Sequence, residues 1–332
     1  MSEPTVVTES NKTQAPSIQS PFYWVTLFLK GIVMGAADVV PGVSGGTIAF
    51  VTGIYTRLLD ALKTLHPLSL RLWYQEGFAV FWRAIDGRFL LTLFSGIIVS
   101  VFSLAKVIHY MLDVYPIPVW SFFFGLVLAS ILYLVRQVAI WRSPQVIAIV
   151  VGTVIALTIS ILRPAQLPET WWMMMFSGFI AICAMILPGI SGSFILLLMG
   201  MYGVFIKALN DLNLVFLASF GVGCIIGLIA FSHVLSYLLQ RYYSVMIALL
   251  TGFLVGSLNV LWPWKQVIES MVNRHGELVP TVQNNVSPLV YSVINEQSSF
   301  LAAALVMMLL GFLIVFSLDW LSNSHASVSR KA

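Results

Sequence analysis

Two glycine- and serine-rich motifs are the residues of this sequence best suited to chemistry. Each interrupts an apolar segment with a Pro-Gly pair, and they read Val40-Pro-Gly-Val-Ser-Gly-Gly46 and Leu187-Pro-Gly-Ile-Ser-Gly-Ser193. Proline and glycine stop a helix, and a helix that restarts directly afterwards presents free backbone N–H groups at its positive end. The sequence therefore predicts an anion-binding site at each break.

The predicted anion ligands are the residues of the two breaks. Glycines let a ligand approach the backbone, and hydroxyl groups add donors while capping the restarted helix. The candidates are Pro41, Gly42, Ser44, Gly45, Gly46 and Thr47 in the first motif, and Pro188, Gly189, Ser191, Gly192 and Ser193 in the second. The alternative is a packed hairpin, in which the glycines only permit close helix contact and the serines satisfy orphan N–H groups.

Four ionisable residues within apolar segments are candidates for charge balance or proton coupling: Lys30, Asp38, Lys106 and His233. Ionisable groups at membrane depth cost free energy unless they are paired or hydrated, so a function is their default interpretation. Two alternatives stay open at this stage. Lys30 could extend to the membrane interface, and His233 could be a neutral, hydrogen-bonded packing residue.

The amino-acid composition indicates that the protein lies in a membrane rather than in water. Of 332 residues, 59% are apolar and 9% are charged, which excludes a soluble enzyme, a disordered chain and a nucleic-acid-binding module. No metal, cofactor or catalytic-triad spacing is present, so the sequence predicts no cofactor, no metal and no enzyme. Six apolar segments are long enough to cross a membrane: residues 89–112, 117–135, 146–162, 214–239, 243–262 and 300–321.

The chain contains an internal duplication. The motifs match at an offset of 147 residues, as do Gly53-Ile-Tyr55 and Gly200-Met-Tyr202, and later positions match at an offset of 127. Each unit holds one broken hairpin and three full spans. The hairpin either dips in and returns or crosses twice, so each unit makes an odd number of crossings and successive units must be inverted. The predicted fold is an all-α polytopic membrane protein of two inverted-topology repeats, each with a re-entrant helical hairpin and three transmembrane helices.

The distribution of basic residues predicts the orientation. With residues 63–88 in the cytoplasm, eleven Lys and Arg residues lie inside and four outside, so both termini are expected to be cytoplasmic. The first repeat then covers 22–162, with its hairpin at 22–62, and the second covers 171–321, with its hairpin at 171–210. Residues 263–298 form an extracytoplasmic loop, and the flexible segment 1–21 and segment 322–332 form cytoplasmic tails.

The stretch from Lys30 to Thr47, with Gly53-Ile-Tyr55 and the second motif, resembles the bacterial polyprenyl-phosphate transporter family. The resemblance implies an undecaprenyl phosphate translocase of the inner membrane, which returns this lipid carrier from the outer to the inner leaflet. Together with the anion sites predicted above, we expect the phosphate to bind at the two motifs. The resemblance also implies a lipid partner and no nucleic acid, and it is compatible with a homo-oligomer. The second motif departs from the first, with Met185 in the place of Asp38 and Ser193 in the place of Gly46.

Two other functions compete with lipid transport. A transporter or channel for a small water-soluble anion or ion would need the same helix ends. An intramembrane enzyme acting on a lipid phosphate would need Ser44 or Asp38 in a catalytic role, but the sequence shows no accompanying nucleophile and base.

Overall fold

Helices follow one another along almost the whole chain. The computed structural model describes residues 21–40, 43–65, 67–162, 164–165, 167–272, 278–296 and 298–329, so the expectations for Pro41, Gly42, residues 1–20 and residues 330–332 lie outside the described residues. The helices are α1 (Pro21–Val39), α2 (Gly45–Val51), α3 (Tyr55–Lys63), α4 (Pro67–Glu76), α5 (Phe78–Ala84), α6 (Gly87–Val114), α7 (Pro116–Gln137), α8 (Ser143–Ile161), α9 (Trp171–Ile186), α10 (Gly192–Leu198), α11 (Tyr202–Asn210), α12 (Leu214–Arg241), α13 (Tyr243–Leu261), α14 (Pro288–Asn295) and α15 (Leu301–Ser329).

The long helices make the chain a multi-pass membrane protein. Among the described residues, six helices are long and apolar enough to cross a membrane, namely α1, α6, α7, α8, α12 and α13, and α10 with α11 would make a seventh if that bent pair is one span. Each of the six segments predicted to cross the membrane overlaps one helix, but the last of these, α15, counts only as a shorter apolar helix over Leu301–Ser317 and is not one of the six long apolar helices. Helices α7 and α13 are central, because 61% of the residues in the apolar stretch of each are buried inside the protein. The corresponding share is 17% in α6 and in α8.

The loop between α13 and α15 departs from the all-helical prediction. It contains an antiparallel hairpin of β1 (Lys265–Val272) and β2 (Leu278–Asn285). Trp262 Nε1 donates to the carbonyl of Val286, and Lys265 Nζ donates to the carbonyl of Val260 at 2.5 Å and lies 4.7 Å from the centre of the Trp120 ring. Burial lowers the pKa of Lys265 to about 8. These contacts hold the hairpin against the ends of α7 and α13.

The helix bounds repeat at the offsets found in the sequence. Helices α2 and α3 correspond to α10 and α11 residue for residue at an offset of 147, and α6 corresponds to α12 in the same way at an offset of 127. Helices α7 and α13 begin at the same offset of 127. The duplication of the sequence is therefore also a duplication of elements.

Close helix crossings occur at glycines in both halves. A Cβ atom on Gly96 of α6 would lie 2.3 Å from the carbonyl oxygen of Phe28 on α1, and one on Gly223 of α12 would lie 1.9 Å from that of Met175 on α9. The remaining spans pair across the halves: α7 packs against α15 at Gly125, and α8 packs against α13 at Gly252. The last helix of each half therefore packs on the other half.

Helix α12 allows a matched test of these crossings. Gly223→Leu should lower the thermal stability, by an overpacking cost of about 1–3 kcal/mol or more, because the side chain would collide with the backbone of α9. Gly221→Leu, on the same helix, should leave stability close to wild type, since no atom lies within 4 Å of a Cβ at that position. Thermal unfolding in detergent measures both. Equal melting temperatures for the two variants would contradict the packing role of Gly223.

Candidate functional site

The two glycine- and serine-rich motifs meet inside the protein and bond to each other. Ser44 Oγ donates to the carbonyl oxygens of Met185 (3.1 Å) and Leu187 (3.3 Å), which precede the second break. In the other direction, the N–H of Gly189 donates to Thr47 Oγ1 at 3.0 Å. Ser44 and Thr47 are buried, so the two breaks form one polar site within an apolar body.

Helix α1 supplies one charged side chain to each end of α2. At the start of α2, the N–H of Gly45 donates to Asp38 Oδ1 at 2.6 Å. At its end, Lys30 Nζ donates to the carbonyl of Thr52 at 2.7 Å. The two lengths match, because the seven residues of α2 span about 10 Å along the helix axis and the eight steps from Lys30 to Asp38 on α1 span about 12 Å. The charges of α1 therefore compensate the dipole of the antiparallel α2.

The corresponding helix of the second half has no such charges. At the offset of 147 residues, Ser177 and Met185 take the places of Lys30 and Asp38, and Ser177 Oγ bonds to its own helix at Met173. No described residue accepts a hydrogen bond from the N–H of Gly192 or Ser193. Ser191 Oγ does not cap α10 but lies 2.9 Å from Ser193 Oγ. Two hydroxyl groups and two N–H donors therefore lie within three consecutive residues at the start of α10.

A small cleft lies beside this second motif. Its volume is about 20 Å³, enough for a water molecule. Gly189 and Ser191 line it from the second motif, Ser160 lines it from the end of α8, and Ser257 lines it from α13. Asn259 Nδ2 donates to Ser160 Oγ at 2.8 Å and continues the polar surface. A phosphate group is larger than this cleft, so it would enter only if the surrounding helices moved apart.

The motif glycines also serve the packing of the chain itself. A Cβ on Gly45 would lie 2.5 Å from Asp38 Oδ2, one on Gly46 would lie 2.7 Å from the carbonyl oxygen of Ile186, and one on Gly192 would lie 2.6 Å from that of Ala181. Gly189 has a φ of +82°, which side-chain-bearing residues rarely adopt. Leucine at these positions would disturb folding. Substitutions that remove the serine hydroxyl groups are therefore better tests of ligand binding.

The other two ionisable candidates lie apart from these buried residues. Lys106 is exposed on α6 and forms no hydrogen bond or ion pair with the described residues. His233, its counterpart on α12, is also exposed, and its Nδ1 lies 2.8 Å from the carbonyl oxygen of Ile229 one turn earlier. Of the four ionisable candidates, the structure brings Asp38 to the first motif and Lys30 to the opposite end of α2.

Sequence reasoning missed several polar residues of the site. Tyr55 OH donates to the carbonyl of Ile186 at 3.0 Å and so joins the hairpin of the first repeat to the residue before the second motif. A signal existed for Tyr55, because it belongs to the repeated Gly53-Ile-Tyr55. Ser257 corresponds to Ser130 in the first half, which is also a repeated position. No comparable signal marks Ser160 or Asn259.

Replacement of Asp38 tests the compensation of α2. Asp38→Ala should destabilise the folded protein by about 0.5–2 kcal/mol, the usual cost of losing a helix-capping acceptor. Asp38→Asn should cost less, since the amide oxygen can still accept from Gly45. Met185→Ala, at the matching position of the second half, controls for general loss of side-chain volume. Thermal unfolding measures all three, and a smaller loss for Asp38→Ala than for Asp38→Asn would be inconsistent with this role.

Comparison with known proteins gives one consistent answer. The family model described as VCA0040-like, undecaprenyl phosphate translocase-like, matches residues 34–279. The chain is 47% identical over 296 residues to a polyprenyl-phosphate transporter of Vibrio cholerae serotype O1, covering 89% of this chain and 96% of that protein. It is 31% identical over 260 residues to a polyprenyl-phosphate transporter of Staphylococcus aureus, covering 73% of this chain and 87% of that protein. No solved structure matches. The chain therefore belongs to the undecaprenyl phosphate translocase-like family of polyprenyl-phosphate transporters, and the resemblance inferred from its motifs is confirmed.

Proposed function

We propose that this protein carries undecaprenyl phosphate from the outer to the inner leaflet of the bacterial inner membrane and is a transporter without enzymatic activity. The relatives described above are named polyprenyl-phosphate transporters. The observation that carries the proposal is the polar site formed where Ser44 and Thr47 bond to the second motif inside an apolar protein. Such a site shelters a charged head group while the isoprenoid tail stays in the lipid.

The phosphate head binds at the second motif in this proposal. The N–H groups of Gly192 and Ser193 have no acceptor among the described residues, and the hydroxyl groups of Ser191 and Ser193 lie beside them. A phosphate needs several donors converging on one point, and the start of α10 offers them next to the cleft. Pro188 and Gly189 shape the turn that precedes these donors.

The first motif takes part only after a rearrangement. The Asp38 carboxylate already accepts from Gly45, and Ser44 Oγ already accepts from Gly46, so these donors are occupied. Protonation or displacement of Asp38 would release the N–H of Gly45 for the phosphate. In this proposal Asp38 competes with the substrate phosphate for the N–H of Gly45, and Lys30 holds the opposite end of α2. Lys106 and His233 remain candidates for counter-charges.

The matching helix bounds support an inverted-repeat mechanism. Repeats 22–162 and 171–321 would have opposite orientations in the membrane, with re-entrant hairpins, both termini in the cytoplasm and residues 263–298 outside. Rocking of one repeat against the other would expose the polar site first to one leaflet and then to the other. Because α7 pairs with α15 and α8 pairs with α13, these four helices would form a shared scaffold, and the parts that rock would be the hairpin of each repeat together with α6 or α12.

The two motifs provide a matched test of head-group binding. The double variant Ser191→Ala/Ser193→Ala should lose most phosphate-lipid binding at near-normal thermal stability, because these hydroxyls bond only to each other among the described residues. Ser44→Ala should instead lower thermal stability, because Ser44 Oγ bonds to Gly46, Met185 and Leu187. Binding is measured with a fluorescent polyprenyl phosphate. Undiminished binding by the double variant would contradict the proposed head-group site.

Reconstitution in liposomes tests the function itself. Purified protein should move polyprenyl phosphate between leaflets, as read by a reagent that reaches only the outer leaflet, and the lipid should leave the assay chemically unchanged. Inorganic phosphate uptake in the same liposomes tests the rival, a transporter for a small water-soluble anion. Phosphate uptake without lipid movement would favour that rival.

A labelling experiment tests the proposed orientation. Glu76→Cys, on α4, should resist an impermeant thiol reagent in intact cells, whereas Val293→Cys, on α14, should react. Both side chains are exposed in the structure, so accessibility depends on the side of the membrane. The native Cys183 and Cys224 are replaced by alanine in both variants. Labelling of position 76 from outside would refute the orientation.

A further inference from the structure

A polar cluster joins the first hairpin to the second half of the protein. Ser236 Oγ on α12 donates to Asp60 Oδ1 on α3 at 2.8 Å, and Lys63 Nζ lies 3.1 Å from the same carboxylate oxygen and 3.2 Å from Ser236 Oγ. Gln240 Nε2, one turn further along α12, donates to Ser236 Oγ at 3.2 Å. We call these residues, Asp60, Lys63, Ser236 and Gln240, the α3–α12 latch.

The two halves differ at this point. Helix α3 packs along α12, but its counterpart α11 has no comparable packing against α6, the counterpart of α12, among the described residues. Both hairpins consist of three helices, and α6 and α12 have the same length. The duplication alone therefore does not explain the difference. The structure therefore holds one of two contacts that the repeat makes available.

The unused contact carries complementary charges. At the offset of 147 residues Lys207 on α11 takes the place of Asp60, and at the offset of 127 residues Asp113 on α6 takes the place of Gln240. His109 takes the place of Ser236. Lys207 and Asp113 are exposed, and neither forms a hydrogen bond or ion pair with the described residues. An α11–α6 contact with the geometry of the α3–α12 latch would place Lys207 beside position 109 and one helical turn from Asp113, a distance that a lysine side chain can span.

We infer that the protein has two alternative latches, and that transport opens the α3–α12 latch while closing an α11–α6 latch through Lys207 and Asp113. This inference rests on the proposed alternating exposure of the polar site. Each latch joins a hairpin of one half to a long helix of the other, so closing it restricts the movement between the halves. Exchange of the two latches then links the rocking motion to one defined contact at each end of the cycle.

Disulfide trapping in the full-length protein tests the second latch. With Cys183 and Cys224 replaced by alanine, Lys207→Cys/His109→Cys, the counterpart of Asp60 and Ser236, should form a disulfide under mild oxidation in liposomes, since cross-linking accumulates even a state populated at about 0.1–10%. Lys207→Cys/Phe102→Cys is the matched control, because position 102 lies on nearly the same face of α6, about 10 Å from position 109. Absence of the 207–109 disulfide, or equal yield from the control, would overturn the inference.

Locking the first latch tests whether it must open. Oxidised Asp60→Cys/Ser236→Cys protein should lose lipid transport and regain it on reduction. Transport by the oxidised protein at the rate of the reduced protein would overturn the inference while leaving the proposed function intact. Absence of transport by the reduced protein and by the unmodified protein alike would instead count against the proposed function. As a further check, Lys207→Glu and Asp113→Lys should each slow transport, and their combination should restore it.

Discussion

A seven-residue helix inside an apolar protein is stable only if the polar groups at both of its ends are compensated, and in α2 this compensation comes from one neighbouring helix. Lys30 and Asp38 lie on α1 at a spacing that matches the length of α2, so the charges hold the two helices antiparallel and in register. That register places Ser44 and Thr47 where they meet the second motif. The contact between the two breaks therefore depends on two charges that face protein rather than a ligand.

The second half repeats the architecture without repeating these charges. With Ser177 and Met185 in place of Lys30 and Asp38, α10 has neither end compensated by α9, and its first N–H groups stay available. The polar ends of α2 are thus bonded within the protein, while the first N–H groups of α10 have no acceptor among the described residues. A duplicated fold with this division can keep one half as a support while the other half contacts the substrate.

Helix positions and the family could be predicted from the sequence, because apolar length and the repeated motifs are local properties. Helices α6 and α12 begin within two residues of the predicted spans, at Gly87 and Leu214. The pairing of α7 with α15 could not be predicted, since Gly125 and its partner helix are far apart in the chain and nothing in one sequence links them. Asp38 stands out in the sequence as a charge beside the break, but its bond to Gly45 depends on the turn that returns α2 along α1. The β-hairpin that begins at Lys265 could not be predicted, because its residues mix polar and apolar types without a clear alternation.

The exchange of helices between the halves affects how the chain folds during synthesis. Helices α7 and α8 enter the membrane before their partners α15 and α13 have been made, so their glycine faces at Gly125 and Gly152 first meet lipid or other segments. Contacts between residues so far apart in sequence form late and slow folding. The first half can be inserted in order, but its packing is completed only when the last helix arrives, and a chain that stops before α15 leaves Gly125 without its native neighbour.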